Sequence, residues 1–166
     1  TLRRHVGIAL QSAPVLRQTV FENLALPRTL QQKTLTRDEA LSSLEAVGLD
    51  ESFLDRDATE LSGGQKQKLS IARTLINQSS ILLLDEITSA LDPSSTREIE
   101  ELILKLNKQY GTTIIWITHN FEQARRLSHY TWLLKDGALI ESGDSRALFR
   151  NSAISVQQFL HGEERR

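Results

Sequence analysis

The sequence of 166 residues contains no cysteine and no methionine, only three prolines, and 5% aromatic residues. The absence of cysteine excludes disulfide bonds, thiolate zinc sites and cysteine nucleophiles. No apolar run approaches the roughly 20 residues that a membrane-spanning helix needs, and no signal peptide is visible. We therefore expect a soluble, cytoplasmic chain, for which any membrane role depends on a partner.

A second absence concerns phosphate binding. The usual phosphate-binding loop reads Gly-x-x-x-x-Gly-Lys followed by Ser or Thr, and its amides and lysine surround the phosphates. None of the eight glycines in this sequence is followed by lysine. Because the sequence starts at Thr1 and has no methionine, we also expect it to be an incomplete translation product with further residues before it.

The charge balance argues against two classes of protein. The formal net charge is −1, and charged residues make up 25% of the chain with both signs mixed along it. This distribution does not fit a surface that coats nucleic acid, nor an acidic tail, so no nucleic-acid partner is expected. The length suits one domain, and an apolar content of 39% can fill a core.

The first motif that points to chemistry is Leu61-Ser62-Gly63-Gly64-Gln65, which precedes an amphipathic stretch typical of a helix. Two glycines let the backbone approach a ligand closely, and a helix start offers unpaired N–H groups and the positive end of the helix dipole. Together with the Ser62 hydroxyl these groups suit an anion such as phosphate. Taken alone, the same residues are also explained as a turn and a helix cap.

The second motif is the apolar run Ile81 to Leu84, followed directly by Asp85 and Glu86. Four consecutive apolar residues predict a strand of a parallel sheet that is buried on both faces. The two carboxylates then lie at the carboxyl end of that strand, where open α/β sheets place their ligands. One carboxylate suits a Mg²⁺ shell and the other can position a water molecule, although two acids after a strand are often only a solvated loop.

Two further strands are predicted to deliver polar side chains to the same edge. Val6 to Leu10 precedes Gln11, and Thr113 to Ile117 precedes Thr118 and His119. A histidine after a strand is more often a loop residue when it is considered alone. Three strands that all end in polar groups nevertheless favour a nucleotide site at the carboxyl edge of one parallel sheet.

The stretch from Leu61 to Pro93, LSGGQKQKLSIARTLINQSSILLLDEITSALDP, closely resembles the signature, Walker B motif and D-loop of the ATP-binding cassette (ABC) ATPases. The resemblance covers essentially the whole chain but only the later part of a complete cassette, beginning just before the Q-loop and lacking the Walker A segment. It implies an α/β fold of the P-loop NTPase type, with a mostly parallel sheet flanked by helices and without its N-terminal strands and P-loop. Two departures from the family are Ile87, where proline is usual, and Lys68, where arginine is common.

The resemblance also implies roles for individual residues. In the family two cassettes meet head-to-tail around two ATP molecules, with Mg²⁺, and each signature serves the ATP of the partner. The implied catalytic residues are Glu86, His119 and Gln11, and the implied Mg²⁺ ligands are Asp85 and Gln11. The signature contributes Ser62, Gly63, Gly64 and Gln65 in trans, and the D-loop is Ser89, Ala90, Leu91 and Asp92.

The domain organisation follows from the same comparison. Residues from about 12 to 77 are predicted to form a mainly helical subdomain, and residues 1–11 and 78–166 an α/β core. Thr36 and Glu39 have the spacing of a capping box, with a helical stripe that ends at Gly48. Residues 121–127 predict a short helix, and the Asp136-Gly137 pair predicts a hairpin turn. A last pair of short helices is expected after Gly143, with Val156, Phe159 and Leu160 packed and residues 162–166 frayed.

Three functions remain open at this point. The first is an ATP-binding and hydrolysing subunit that powers a bacterial membrane transporter, lying at the inner face of the membrane through a transmembrane permease. The second is a non-hydrolysing fragment that only binds a partner, since a chain without the P-loop is expected to be inactive alone. The third, an ABC protein acting on ribosomes or DNA, is disfavoured by the −1 charge and the single signature. The transported substrate and its direction are not encoded in these residues.

Overall fold

The structure is a computed structural model that describes residues 5–150. The chain divides into two compact units, Thr1–Ile117 and Thr118–Arg166. The subdomain boundaries expected near residues 12 and 77 concern a different division of the chain and stay a prediction.

Within the described part of the first unit, three parallel strands form one sheet. They are β1 (Val6–Leu10), β2 (Ile81–Asp85) and β3 (Thr113–Ile117), with β2 in the centre. All three strands were predicted from their apolar runs, and the predicted parallel α/β sheet is confirmed. The connection between β1 and β2 contains three α-helices, and the connection between β2 and β3 contains one long helix. These helices are α1 (Val20–Thr29), α2 (Arg37–Ala46), α3 (Gly63–Ile76) and, between β2 and β3, α4 (Pro93–Tyr110), with short 3₁₀ turns at Glu51–Phe53 and Ala58–Glu60.

Side-chain caps fix where these helices begin. Thr36 and Glu39 form the predicted capping box at the start of α2, and Asp92 caps α4 with Pro93 in its first turn. Each cap gives backbone N–H groups a partner that the helix itself cannot supply, which typically stabilises a protein by about 1 kcal/mol. Gly111 ends α4 with a φ of 64°, a left-handed conformation that glycine adopts without steric cost. The local sequence around Thr36 and Asp92 therefore determines where these two helices begin.

The core lies on one face of the sheet only. Ala9, Leu82 and Leu84 are at most 2% exposed and pack with the apolar side chains of the helices, including Leu69 of α3. On the opposite face Ile8 and Ile117 are 56% and 55% exposed. The expectation that the β2 run is buried on both faces is therefore wrong for the described chain, in which Ile81 and Leu83 are only partly buried. An apolar run predicts a parallel strand, but it does not indicate which face of that strand the other elements of the chain cover.

The second unit contains a short helix and a hairpin that lead into a final described helix. The elements are α5 (Phe121–Leu127), β4 (Tyr130–Lys135), β5 (Ala138–Asp144) and α6 (Ser145–Arg150). The turn residues Asp136 and Gly137 have φ angles of 51° and 77°, as the Asp-Gly hairpin signal predicts. The second of the predicted C-terminal helices, with Val156, Phe159, Leu160 and residues 162–166, lies outside the described residues. Among residues 5–150, no helix is long and apolar enough to cross a lipid bilayer.

Candidate functional site

The register of the sheet aligns the ends of its three strands. Leu10 of β1 and Ile117 of β3 both pair with Asp85 of β2. Gln11 and Glu86 are the next residues along their strands, so they leave the sheet at the same edge, which is its carboxyl edge. Parallel α/β sheets bind their ligands at this edge. The structure thus brings Gln11, Asp85 and Glu86 to one edge, as the sequence predicts.

Glu86 leaves the sheet with an unusual backbone conformation. Its φ is 49°, in the left-handed region, and its N–H donates to the carbonyl oxygen of Ile117 at 3.0 Å. The N–H and the hydroxyl of Ser89 both donate to the Glu86 carbonyl oxygen, at 3.1 and 2.9 Å. A non-glycine residue in this region costs on the order of 1–3 kcal/mol and persists only where neighbouring bonds enforce it. Such strain is common at functional sites, but four other non-glycine residues of the described chain share a positive φ, so the catalytic role of Glu86 stays a prediction.

Because of this strain, we expect glycine to be more stable than alanine at position 86, the opposite of their order in a helix. We expect Glu86→Gly to be more stable than Glu86→Ala by about 1 kcal/mol, because alanine keeps the steric cost of a positive φ and glycine does not. At Glu101, on the exposed side of α4, the order should reverse, because alanine is favoured over glycine in a helix by about 1 kcal/mol. Urea unfolding of the four variants measures both differences. Equal stability of the two position-86 variants would contradict the strain.

Gln11 lies in an exposed turn whose main chain is held by a side chain from α3. Gln67, only 2% exposed, donates its side-chain amide to the carbonyl oxygens of Leu10 and Gln11 at 3.1 and 2.8 Å. Further along the loop, Arg73 of the same helix donates to the carbonyl oxygen of Pro14 at 2.6 Å. Burial lowers the pKa of the Arg73 guanidinium from its usual value. The loop after β1 is therefore fixed by two polar side chains of α3.

The signature residues form the start of α3. The Ser62 hydroxyl accepts from the Gln65 N–H at 3.3 Å, and the Gln65 side chain accepts from the Ser62 N–H at 2.9 Å. This reciprocal pair is a capping box, so part of the predicted motif is used to begin the helix. The two glycines follow directly, at the positions where a helix presents unpaired N–H groups. The cap explanation and the anion-site explanation thus apply to the same residues.

Close packing against the start of α4 explains the glycine at position 64, and Gly63 lies beside the D-loop. A Cβ added to Gly64 would lie 3.2 Å from the Cβ and the hydroxyl oxygen of Ser95, and one on Gly63 would lie 3.3 Å from the side chain of Leu91. The first contact is tight against the start of α4, whereas the second meets only the tip of a flexible leucine. The glycines therefore let the signature approach the D-loop within one chain, a packing role that the sequence reading did not include.

Asp92 organises the end of the D-loop. Its carboxylate accepts from the N–H groups of Ser94 and Ser95 at 2.9 and 3.0 Å and from the Ser95 hydroxyl at 2.6 Å. These hydrogen bonds, above all that from the Ser95 side chain, hold the pKa of the exposed Asp92 carboxyl below its usual range. The capping role predicted for Asp92 is confirmed, and a role in communication between subunits stays a prediction.

His119 belongs to the second unit. It follows the end of β3 by two residues and is exposed. The preceding residue Thr118 accepts a hydrogen bond on its hydroxyl oxygen from the Asn120 N–H at 3.0 Å, and Asn120 caps α5. The residues around His119 thus form a defined turn between a strand and a helix. Its predicted place beside the other site residues stays a prediction.

The sequence analysis did not predict the residues that support the site. Gln67 and Arg73 lie in the helix that begins at the signature, yet no local pattern indicates that they reach the loop after β1, 56 and 59 positions away. Asn23, fully buried in α1, bonds the N–H and the carbonyl of Leu16 at 2.8 and 3.1 Å. A polar residue on the apolar face of a helix is the signal that could have indicated such contacts.

Comparisons with known proteins agree with this geometry. The profile of the family described as "ABC transporter" matches residues 1–89. The chain is 50% identical to YjkB of Bacillus subtilis (strain 168) over 99% of this chain and 65% of YjkB. YjkB is named as an ABC transporter ATP-binding protein. It is 39% identical to the methionine import ATP-binding protein MetN of Histophilus somni (strain 129Pt), over 96% of this chain and 47% of MetN. The chain thus spans less than two thirds of these relatives' length.

Two solved structures have the same fold. CbiO1 of Clostridium perfringens, described as part of the ABC transporter complex CbiONQ, superposes with a TM-score of 0.79 at 27% identity, over 96% of this chain and 64% of CbiO1. The ATP-binding cassette MJ0796, solved as a dimer in a post-hydrolysis state with ADP and Pi, gives a TM-score of 0.75 at 33% identity, over 87% of this chain and 65% of MJ0796. The fold is that of the P-loop NTPase cassettes, and the chain belongs to the ABC transporter family.

Proposed function

We propose that this chain is part of the ATP-binding and hydrolysing subunit of a membrane transporter. The observation that carries the proposal is the carboxyl edge of the sheet, where the register of β1, β2 and β3 brings together Gln11, Asp85 and Glu86. The strained backbone of Glu86 and the packing of the signature on the D-loop support it. The similarity to ATP-binding proteins of transporters, MetN among them, supports the same conclusion.

In this proposal each side chain at the edge has a separate task. Glu86 orients or deprotonates the water that attacks the terminal phosphate of ATP. His119 donates a hydrogen bond to that phosphate, and Gln11 contacts the water and transmits the state of the site to the membrane subunit. Phosphoryl transfer depends mainly on positioning and on stabilisation of charge, so side chains fixed by the surrounding fold suit it.

The residues present fit a Mg²⁺ ion held mostly by water and phosphate. Asp85 is exposed at the end of β2, and Gln11 follows the neighbouring strand. Within residues 5–150, no three His, Asp or Glu side chains lie close enough together to form an all-protein metal cage. Magnesium in nucleotide sites is bound by one or two protein oxygens together with substrate phosphates, so the two residues suffice. The ion, when bound, would neutralise phosphate charge.

Two protein partners belong to the proposal. The first is a second ATPase subunit arranged head-to-tail, so that Ser62, Gly63, Gly64 and Gln65 bind the ATP of the partner. The dimeric structures of MJ0796 support a dimer. The second is a transmembrane permease that holds the subunit at the inner face of the membrane. CbiO1, which is part of the ABC transporter complex CbiONQ, supports assembly into a transporter complex. A two-fold dimer uses the same surfaces on both subunits, so one set of residues serves both sites.

The experiment that tests the function is an ATPase assay on the purified natural full-length protein, with and without Mg²⁺ and with and without its membrane partner. We expect phosphate release that requires Mg²⁺. Binding of ATP without any hydrolysis in the presence of the partner would overturn the enzymatic role and leave a partner-binding role. No binding of ATP would overturn the ATP-binding role as well, and would likewise favour the partner-binding role.

A further inference from the structure

Gln67 is a buried polar residue whose role the proposed function does not yet include. It lies on α3, two residues after the signature, and its side chain is only 2% exposed. Its amide nitrogen donates one hydrogen bond to the carbonyl oxygen of Leu10 at 3.1 Å and one to that of Gln11 at 2.8 Å. A single side chain therefore uses both of its N–H groups on the main chain at the start of the loop after β1.

Stability alone does not account for this amide. The other side-chain atom of Gln67, its Oε1, is buried and has no hydrogen-bond partner within the described chain. An unpaired buried oxygen opposes folding, and an apolar side chain of similar volume would avoid it. The gain from the two N–H bonds is thus offset by the unpaired oxygen. The amide nevertheless fixes the position and orientation of one peptide segment, because it bonds two adjacent carbonyl groups.

The loop that receives these bonds is held in a conformation that needs support. Ala13, two residues after Gln11, has a φ of 41° and is 4% exposed. Its N–H donates to the Leu10 carbonyl oxygen at 3.0 Å, so the loop closes on an atom that Gln67 also contacts. Arg73, on the same helix, holds the Pro14 carbonyl at 2.6 Å. Helix α3 therefore fixes the loop at both ends of its tight turn.

The same helix begins with the signature. Ser62 caps it and Gly63 is its first residue, so the signature and the supports of the Gln11 loop belong to one rigid element. A displacement of α3 carries both of them. Because a helix shifts largely as a body, a displacement of α3 would move Gln67 and Arg73 together with the signature.

We propose that Gln67 is a positioning residue, which fixes Gln11 to the signature helix so that the state of the helix determines where the Gln11 side chain lies. The inference rests on the proposed function, in which Gln11 acts at the phosphates. Gln67 is buried and bonds the Gln11 main chain, so in this proposal it acts through that main chain. The residue makes the loop responsive to whatever binds at the start of α3, namely the ATP that the partner subunit holds.

The first test measures the loop directly in the natural full-length protein. Gln67→Met removes both N–H donors at similar volume, and Leu69→Met is the control, since Leu69 is fully buried on the same helix. We expect amide hydrogen exchange at residues 11–13 to rise about tenfold in Gln67→Met, as loss of one to two hydrogen bonds implies, while the melting temperature changes little. Gln67→Leu is measured beside it in case the methionine variant does not fold. Unchanged exchange in the folded variant would overturn the proposal.

The second test asks whether Gln67 acts through Gln11. We expect Gln67→Met to lower kcat for ATP hydrolysis by about three- to tenfold with little change in KM, and to have no further effect in a Gln11→Ala background, since groups that act as a unit are non-additive. An equal loss in both backgrounds would show a merely structural role and overturn the proposal. If the wild type hydrolyses no ATP, the proposed function fails, and hydrogen exchange alone decides whether Gln67 fixes the loop.

Discussion

Glu86→Gln is expected to abolish ATP turnover while leaving ATP binding intact. Glutamine has the size and shape of glutamate but cannot accept a proton from the attacking water, and loss of such a group typically lowers a rate by about 10²–10⁴-fold. Binding should persist because Glu86 acts on the water and not on the nucleotide. Phosphate release and nucleotide affinity of the natural full-length protein, with and without its membrane partner, measure the two effects.

The control for this substitution is Glu101→Gln. Glu101 is an exposed glutamate of α4 in the same unit, and the same chemical change there should leave both turnover and ATP affinity unaltered. The positive φ of Glu86, 49°, is kept by bonds of the main chain, so the glutamine variant should fold like the wild type. Hydrolysis at the wild-type rate by a folded Glu86→Gln protein would remove Glu86 from the catalytic role.

The sheet was predictable because each strand has its own local signal. The apolar runs that end before Gln11, Asp85 and Thr118 give strand positions to within one residue. What the runs could not give is exposure. The branched side chains at Ile8 and Leu82 look alike in the sequence, yet one is 56% and the other 2% exposed. Exposure depends on which elements cover each face, and that is not a local property.

The site was predictable to the extent that it sits on strand ends. Asp85 and Glu86 reach the sheet edge because β2 ends there, and resemblance to the family supplies their chemistry. The supporting contacts were not predictable, because they join residues far apart in the chain through a single side chain. Gln67 contacts the loop 56 residues earlier in the chain. Gly64 packs against Ser95, 31 positions later, and a Cβ added to Gly64 would lie 3.2 Å from the Ser95 side chain. Sequence patterns record periodicity and caps, but they do not record which side chains meet in space.

Gly64→Ala is the second substitution for which a large loss of activity is expected. A Cβ at this position would lie 3.2 Å from the Cβ and hydroxyl oxygen of Ser95, a crowding that typically costs about 1–3 kcal/mol. The higher helix propensity of alanine returns up to about 1 kcal/mol, so the net cost in the free energy of unfolding should be small. Hydrolysis should fall much more, by roughly 10- to 100-fold, if the N–H of Gly64 donates to the partner's ATP, because alanine keeps this donor but its methyl group keeps the phosphates from approaching it.

A second substitution at the contact separates packing from ligand binding. Ser95→Gly removes the Cβ that an alanine at position 64 would meet, although it also removes the hydroxyl that bonds Asp92 at 2.6 Å. The effects are therefore compared as a cycle of the wild type, the two single variants and the double variant. We expect the double variant to lose less free energy of unfolding than the sum of the two single losses, because the crowding is gone. Its hydrolysis should nevertheless stay low, because the methyl group at position 64 still blocks the phosphates of the partner's ATP. Full recovery of hydrolysis in the double variant would mean that Gly64 only lets the signature pack on α4 and that the anion is bound elsewhere.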